Sequence, residues 1–455
     1  MRSLLGLCVI VLATTSVVGD DWPQFLGPQR DGISREKGLL KAWPEGGPKL
    51  AWKVQSLGLG YSCPVVAGGR IYTLGTRDFR LEGNRDFKIV GTTIKTTCLI
   101  CLDEKTGEDI WYTPFAAIET YFDGNTYGNG PRGAPAVDGK NIYALSGDGT
   151  LACFGTETGA IEWKVNLVKD FGGETMSKWG GYSQSVLVDG DNVICVPGGK
   201  KGAVLALNKE TGKKVWQTAK ITDKATFASV IKAKICGTDQ YVVLTYTNYT
   251  TGGSCCGISP EGEVLWYLPR VTGSSEEIST TPLVKDDKIY VTYGEGTRYG
   301  SRLIHVTKKG DKLEAAQVYN SRGQRNLANR YGGVVLVGDF VFGINRVRQY
   351  WTCQDFASGR RMWDDNRRLR CQSSGSLVAT ADRLYLLTDR GEMALIETSD
   401  RGWKEHGRLK IPETSKLRKT LRWSLQAGIW TYPVIANGRL YIRDHELLLC
   451  YDIKK

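Results

Sequence analysis

Arginine is the chemically active residue that this sequence gathers. Arg298 and Arg302 are followed by Arg322, Arg325 and Arg330, then Arg346 and Arg348, then Arg367, Arg368 and Arg370, and then Lys416, Arg418, Lys419 and Arg422. Guanidinium forks suit carboxylate, sulfate or phosphate groups. The grouping therefore points to an anionic ligand or partner, held by Arg330, Arg346, Arg348, Arg367, Arg368 and Arg422. The competing reading is a solvated rim whose arginines pair with local acids such as Asp364 and Asp365. Other reactive types are sparse. Cys98 and Cys101 form a CxxC, but Leu102 follows where c-type haem attachment needs His, and no second pair matches it for zinc. His305, His406 and His445 fall in no metal or triad spacing, and there is no P-loop or Ser-His-Asp pattern. Glu276 and Glu277 could hold Ca²⁺ with neighbouring carbonyls, although loop carboxylates of this kind are more often solvated.

The elements that position these groups follow from composition and repetition. Among 455 residues, 55 are Gly, about 12% against a typical ~7%, which fits many tight turns rather than many helices. Arg2, the apolar run Leu4 to Ala13 and the small residues before Asp20 read as an export signal over 1–19, with Cys8 inside the run. Its removal takes away one arginine and lowers the formal charge from +12 to +11. That balance favours an anionic partner, and export argues against nucleic acid as that partner. No later apolar run is long enough to span a membrane.

The stretch CLDEKTGEDIW (Cys101 to Trp111) returns as CFGTETGAIEW (Cys153 to Trp163), ALNKETGKKVW (Ala206 to Trp216) and CQDFASGRRMW (Cys353 to Trp363). A shorter-turn form, GISPEGEVLW, ends at Trp266. In each, Gly stands four residues before Trp, as expected for strand, tight turn, strand. Cys101, Cys153, Cys353 and Cys450 share one position in these units, so they read as small buried fillers. With Cys8 set aside, eleven of the twelve cysteines remain, an odd number that suits no disulfide framework.

Eight units of four short strands can be traced, beginning near Ser62, Gly133, Ser183, Ala228, Thr280, Gly332, Gly375 and Thr431. The eighth stops at Lys455 after three strands, and an orphan strand around Trp52 supplies the fourth. This predicts an all-β, eight-bladed β-propeller over 47–455, closed by an N-terminal strand and preceded by an arm over 20–46. The fifth and seventh units lack the Gly-to-Trp spacing and are expected to be the most degenerate.

At these residues the chain resembles the pyrroloquinoline-quinone-like (PQQ-like) repeat family, which includes quinoprotein dehydrogenases and the outer-membrane assembly factor BamB. The resemblance implies that Trp52, Trp111, Trp163, Trp216, Trp266 and Trp363 dock between neighbouring blades. It admits PQQ and calcium as cofactors of a dehydrogenase, and it raises a vicinal disulfide at Cys255 and Cys256, although their place in the fourth unit does not match the dehydrogenase pattern. A shared ring identifies fold far better than activity.

The loops entering each innermost strand and those joining second to third strands share one face, the top. Its long members are 76–95, 112–132, 164–182 and 404–430. Its rim offers Tyr61, Arg132, Tyr182, Phe227, Glu277, Tyr331, Ser373 and Trp430, joined by Arg370, as a ligand pocket or as a plug of the channel. The reading favoured is an exported, monomeric binding or scaffold protein, not an enzyme, for an acidic polysaccharide, envelope component or protein partner. The alternatives are a Ca-dependent quinoprotein alcohol or sugar dehydrogenase and a BamB-type assembly factor.

Overall fold

The computed structural model describes residues 20–77, 96–117, 130–176, 181–272, 278–294, 300–322, 327–329, 331–345, 348–420 and 428–455. They form an eight-bladed propeller of antiparallel sheets. Counting inner to outer strand, blade 1 runs from Val65–Ala67 to Asp109–Ala117, blade 2 from Ala136–Asp138 to Ile161–Asn166, and blade 3 from Leu187–Asp189 to Lys214–Gln217. Blade 4 runs from Ile231–Ile235 to Val264–Leu268 and blade 5 from Leu283–Lys285 to Lys312–Arg322. Blade 6 runs from Val334–Val337 to Arg361–Asp364 and blade 7 from Gly375–Ala379 to Glu405–Lys410. Blade 8 consists of Val434–Ala436, Arg439–Asp444 and Leu447–Asp452, completed by Lys49–Val54. Blade 4 departs from the four-strand expectation, since Lys224–Ala225 also pairs with its second strand.

Burial explains the strand patterns. Second strands such as Asn141–Leu145 are buried at every position, because blades cover both faces, and they read as continuous apolar runs. Outer strands such as Ile161–Asn166 are mostly exposed except at Trp163. In register, Trp52, Trp111, Trp163 and Trp363 stand opposite Cys450, Cys101, Cys153 and Cys353, while Trp216 opposes Ala206 and Trp266 opposes Gly257. A small residue opposite leaves room for an indole, and a bulge adjoins the tryptophan in each case, re-aiming it. Burial pushes the thiols of Cys101, Cys153 and Cys450 up to about 12, which makes them inert filler.

The aimed indole seats on the turn glycine of the next blade. A Cβ on Gly107 would lie 2.7 Å from Trp52, and Gly159, Gly212 and Gly262 stand equally close to Trp111, Trp163 and Trp216. Gly107, at φ 76°, serves both the left-handed turn and this close approach. The indole N–H of Trp52 donates to Glu104 O, that of Trp163 to Lys209 O, that of Trp216 to Pro260 O and that of Trp363 to Ser399 O, at 2.6–3.2 Å. Trp266 differs: its N–H donates at 2.6 Å to Gln240 Oε1 within its own blade. In blade 5, Tyr319 takes the tryptophan position, seating on Gly359 and donating to Phe356 O at 2.9 Å.

Candidate binding face

The central channel is filled by the protein itself. Each innermost strand begins with a small residue at one shared position: Cys63, Ala134, Ser185, Ser229, Thr281, Gly333 and Ser376 in blades 1 to 7. Several tie neighbouring blades, with Ala134 N donating to Ser185 Oγ at 2.8 Å and Ser185 N to Ser229 Oγ at 2.9 Å. Blade 8 carries Tyr432 there instead. Its N–H donates to Cys63 Sγ at 3.2 Å, and its ring reaches blade 6, where a Cβ on Gly333 would stand 2.3 Å from its hydroxyl. Gly333 is thus required by a side chain from two blades away.

The N-terminal arm closes the channel on the signature-turn face. Trp22 exchanges backbone hydrogen bonds with Val66 of blade 1, and Pro23 O accepts from Val137 N of blade 2. Phe25 packs edge-on against Tyr432, with centroids 5.2 Å apart. Arg30 is buried, donating to Val186 O at 2.9 Å and Ser185 O at 3.0 Å in blade 3. Desolvation lowers its pKa to about 9, so it remains a cation at neutral pH. The arm then bonds Ala379 of blade 7 through Gly32 and Ser34. Touching blades 1 to 3 and then blade 7, it crosses the ring.

On the top face the structure brings five of the rim residues together. Tyr61 stacks on Trp430 with centroids 4.9 Å apart, Tyr331 packs on the same Trp430 at 4.7 Å, and Arg132 sits over Tyr61 at 5.9 Å. Ser373 Oγ receives the Trp430 indole N–H at 3.4 Å. Two rim residues stand elsewhere. Tyr182 is buried in blade 3 with its hydroxyl donating to Pro197 O at 2.8 Å, and Phe227 packs into the core of blades 4 and 5. Arg370 is exposed on the loop between blades 6 and 7. Glu277, with Glu276, lies outside the described residues, as do Arg330, Arg346 and Arg422.

Beneath the stack lies a buried polar seam that the sequence reading did not single out. Tyr61 meets the His445 ring edge-on at 4.5 Å, and Gly60 N donates to His445 Nδ1 at 3.4 Å. Asp444 pairs with buried Arg418. Arg443, fully buried, donates to Ser62 O and Leu74 O at 2.7 Å and to His445 O at 2.8 Å, tying blade 8 to blade 1. Burial lowers its pKa to about 9 and that of His445 to about 4. Arg-Asp-His-Glu in an otherwise apolar strand pair was the available signal for the seam. Tyr432, where sister units carry small residues, was the signal for the filled channel.

The arginines of blades 6 and 7 project from a fixed loop. Asp365 turns inward and accepts from the backbone N–H of Trp351 at 3.1 Å, Arg367 at 3.2 Å and Leu369 at 3.0 Å. Asp364 pairs with Arg361 at 2.5 Å. Neither acid pairs with the guanidinium groups of Arg367, Arg368 and Arg370, which are exposed. Arg367 lies over Tyr350 at 5.6 Å, and Arg348 N is held by Asn345 Oδ1 at 3.0 Å. Arg302 is buried and donates to Arg270 O.

Cys255 and Cys256 are free, buried thiols on strand Gly252–Ile258. Successive residues of an extended strand point to opposite faces, which separates the two sulfurs.

The family model described as outer membrane protein assembly factor BamB matches residues 95–365, more than half of the chain. The chain belongs to that PQQ-like propeller family. In structure this PQQ-like propeller is similar to BamB from Moraxella catarrhalis, at TM-score 0.51 and 15% identity over 84% of this chain and 98% of that one. It is also similar to the quinohemoprotein alcohol dehydrogenase of Comamonas testosteroni, at TM-score 0.62 and 12% identity over 96% and 81%. A quinohemoprotein alcohol dehydrogenase of Pseudomonas putida HK5 aligns at TM-score 0.60 and 12% identity over 96% and 80%. At these identities the likeness shows the fold. No curated protein matches the sequence.

Among the described residues no three His, Cys, Asp or Glu come together as cation ligands, and Glu276 and Glu277 lie outside them. The rings at the mouth stand 4.9 and 4.7 Å apart, whereas an inserted flat ring needs about 7 Å, twice the ~3.5 Å contact distance.

Proposed function

We propose that this PQQ-like propeller is an exported binding or scaffold protein that holds an anionic polymer of the cell envelope on the top of blades 6 and 7. One observation carries the reading: Arg367, Arg368 and Arg370 are exposed on a loop fixed by Asp365, and no ion pair among the described residues takes up their charge. A fixed loop spends little ordering entropy on binding, and the net charge of +12 has the sign that favours a polyanion. Export is supported by the apolar run after Arg2, and no helix among the described residues is long and apolar enough to cross a membrane.

The test is retention of the mature chain on an immobilised acidic polysaccharide as salt is raised. Retention should fall with salt and be lost when Arg367, Arg368 and Arg370 are all changed to Glu. Unchanged retention in that variant would remove the arginine argument. Saturable PQQ binding with alcohol or sugar turnover would replace the scaffold reading with the dehydrogenase one.

A further inference from the structure

The signature turns are built to one plan, and blade 2 departs from it. In blade 1, Asp103 Oδ1 receives Lys105 N and Thr106 N at 2.9 Å and Thr106 Oγ1 at 3.1 Å. In blade 3, Asn208 Oδ1 receives Glu210 N at 3.2 Å, Thr211 N at 3.0 Å and Thr211 Oγ1 at 2.9 Å. Asp355 does the same for Ser358 in blade 6. Blade 2 keeps the turn, with Gly159 N donating to Gly155 O at 2.9 Å and Ala160 N to Thr158 Oγ1 at 3.3 Å. It has Gly155 where the sisters have Asp or Asn. The donors Glu157 N, Thr158 N and Thr158 Oγ1 therefore converge on a position with no acceptor.

That position opens into a hollow of about 300 Å³ lined by Lys140, Asn141, Gly155, Thr158, Glu162 and Glu210, among others. A Cβ on Gly155 would meet only Glu162 Oε1 at 3.5 Å and Thr158 Oγ1 at 3.8 Å, so the space is real. Behind the hollow, Tyr143 is buried and paired across the strands with hollow-lining Cys153.

We propose that this hollow is a binding site for an amide, the asparagine side chain of a protein partner, which completes the turn that Gly155 leaves uncapped. The sister turns define the acceptor: one oxygen taking two N–H groups and a hydroxyl. The charges select an amide over a carboxylate. Glu157 is neutralised by Arg70 at 2.7 Å, which leaves Lys140 against Glu162 and Glu210. An amide oxygen serves the three donors, and its NH₂ serves Glu162 and Glu210, the latter also receiving Asn141 Nδ2 at 3.4 Å. The hollow lies on the signature-turn face, opposite the arginines, and is independent of the function proposed above.

The experiment is an NMR titration of the ¹⁵N-labelled full chain with N-acetyl-asparagine amide. Saturable shifts at the Glu157 and Thr158 amides are expected, absent with N-acetyl-alanine amide. Gly155→Asn, which fills the hollow with its own cap, should abolish them while leaving the rest of the spectrum in place, and Glu162→Ala should weaken binding several-fold. No shift at those amides, or an undiminished response in Gly155→Asn, overturns the site. Acetate or N-acetylglucosamine acting at lower concentration than the asparagine compound overturns the assignment of the ligand.

Discussion

The seam between blades 8 and 1 and the seam between blades 4 and 5 join equivalent surfaces by different means. At the first, Trp52 seats on Gly107, and Glu104 gathers Tyr441, Asn437 and, through its carbonyl, Trp52 and Arg439. Buried Arg443 adds bonds to blade 1 from within. At the second, Trp266 turns to Gln240 of its own blade. What joins blades 4 and 5 is the long hairpin Gly300–Lys309 and Lys312–Arg322, whose outer strand lies against Val264–Leu268, and the bond from Cys236 N to Asp287 at 2.6 Å. The ring is closed by strand pairing inside blade 8, where Lys49–Val54 lies against Leu447–Asp452, and the chain runs on from Val54 into blade 1 as it runs from blade 4 into blade 5. Of these two continuous seams, the first is tied by buried polar groups and the second by a longer blade edge.

Removing the guanidinium should separate the two seams most clearly. Arg443→Met leaves three buried carbonyls without their donor and should cost roughly 3–5 kcal/mol, read as a lower urea midpoint. Trp52→Ala should cost about 3 kcal/mol by loss of the seated indole, with the same readout. Gln240→Ala strands the Trp266 indole N–H but keeps the hairpin contact, so about 1–2 kcal/mol is expected. A cost from Gln240→Ala equal to that from Arg443→Met would dissolve the distinction.

Acid and base should act on the closure in opposite senses. Burial lowers the pKa of His445 from 6.5 to about 4, so the unfolded chain binds the proton more readily, and stability present above pH 6.5 is lost as pH falls toward 4. Glu36 of the arm, which accepts from Gly438 N at 2.6 Å, has its pKa raised from 4.5 to about 7 by burial. The folded chain then holds a proton that the unfolded one releases, and stability falls as pH rises through that window. Urea midpoints between pH 4 and 8 should lose the alkaline decline in Glu36→Gln and the acid decline in His445→Asn. The smallest effect is expected at the seam of blades 2 and 3. There Gly155→Asn should stabilise by roughly 0.5–1 kcal/mol, the size of a side-chain cap, read as a raised melting temperature; a destabilised variant would show that the turn has no room for its cap.

The ring was legible because its parts are local. Gly four residues before Trp marks a turn and an aimed indole wherever it occurs, and the three-strand eighth unit called for the orphan strand at Trp52. Degeneracy was not legible: blade 5 substitutes Tyr319 and keeps the docking geometry, whereas blade 4, which has the Gly-to-Trp spacing, gains a strand and turns Trp266 to its own Gln240. The rim was only partly legible. Tyr61, Trp430, Tyr331 and Arg132 meet, while Tyr182 faces the same way in sequence and is buried, because whether an aromatic caps a blade or a channel depends on the blade beside it. Arg30 and Tyr432 were missed for the same reason: each acts on residues far along the chain, at Ser185 and Gly333.

By itself the sequence determined the blade count, the turns, the identity of the closing strand and the small residues that admit each tryptophan, since all of these rest on periodicity and on contacts within one unit or its neighbour. Only the tertiary structure decided that the channel is filled, that Asp365 turns inward and leaves three arginines exposed, and that Gly155 opens a hollow where its sisters place a cap. Those outcomes depend on which groups are brought together across the ring and on which hydrogen-bonding atoms remain after every neighbour has taken its share.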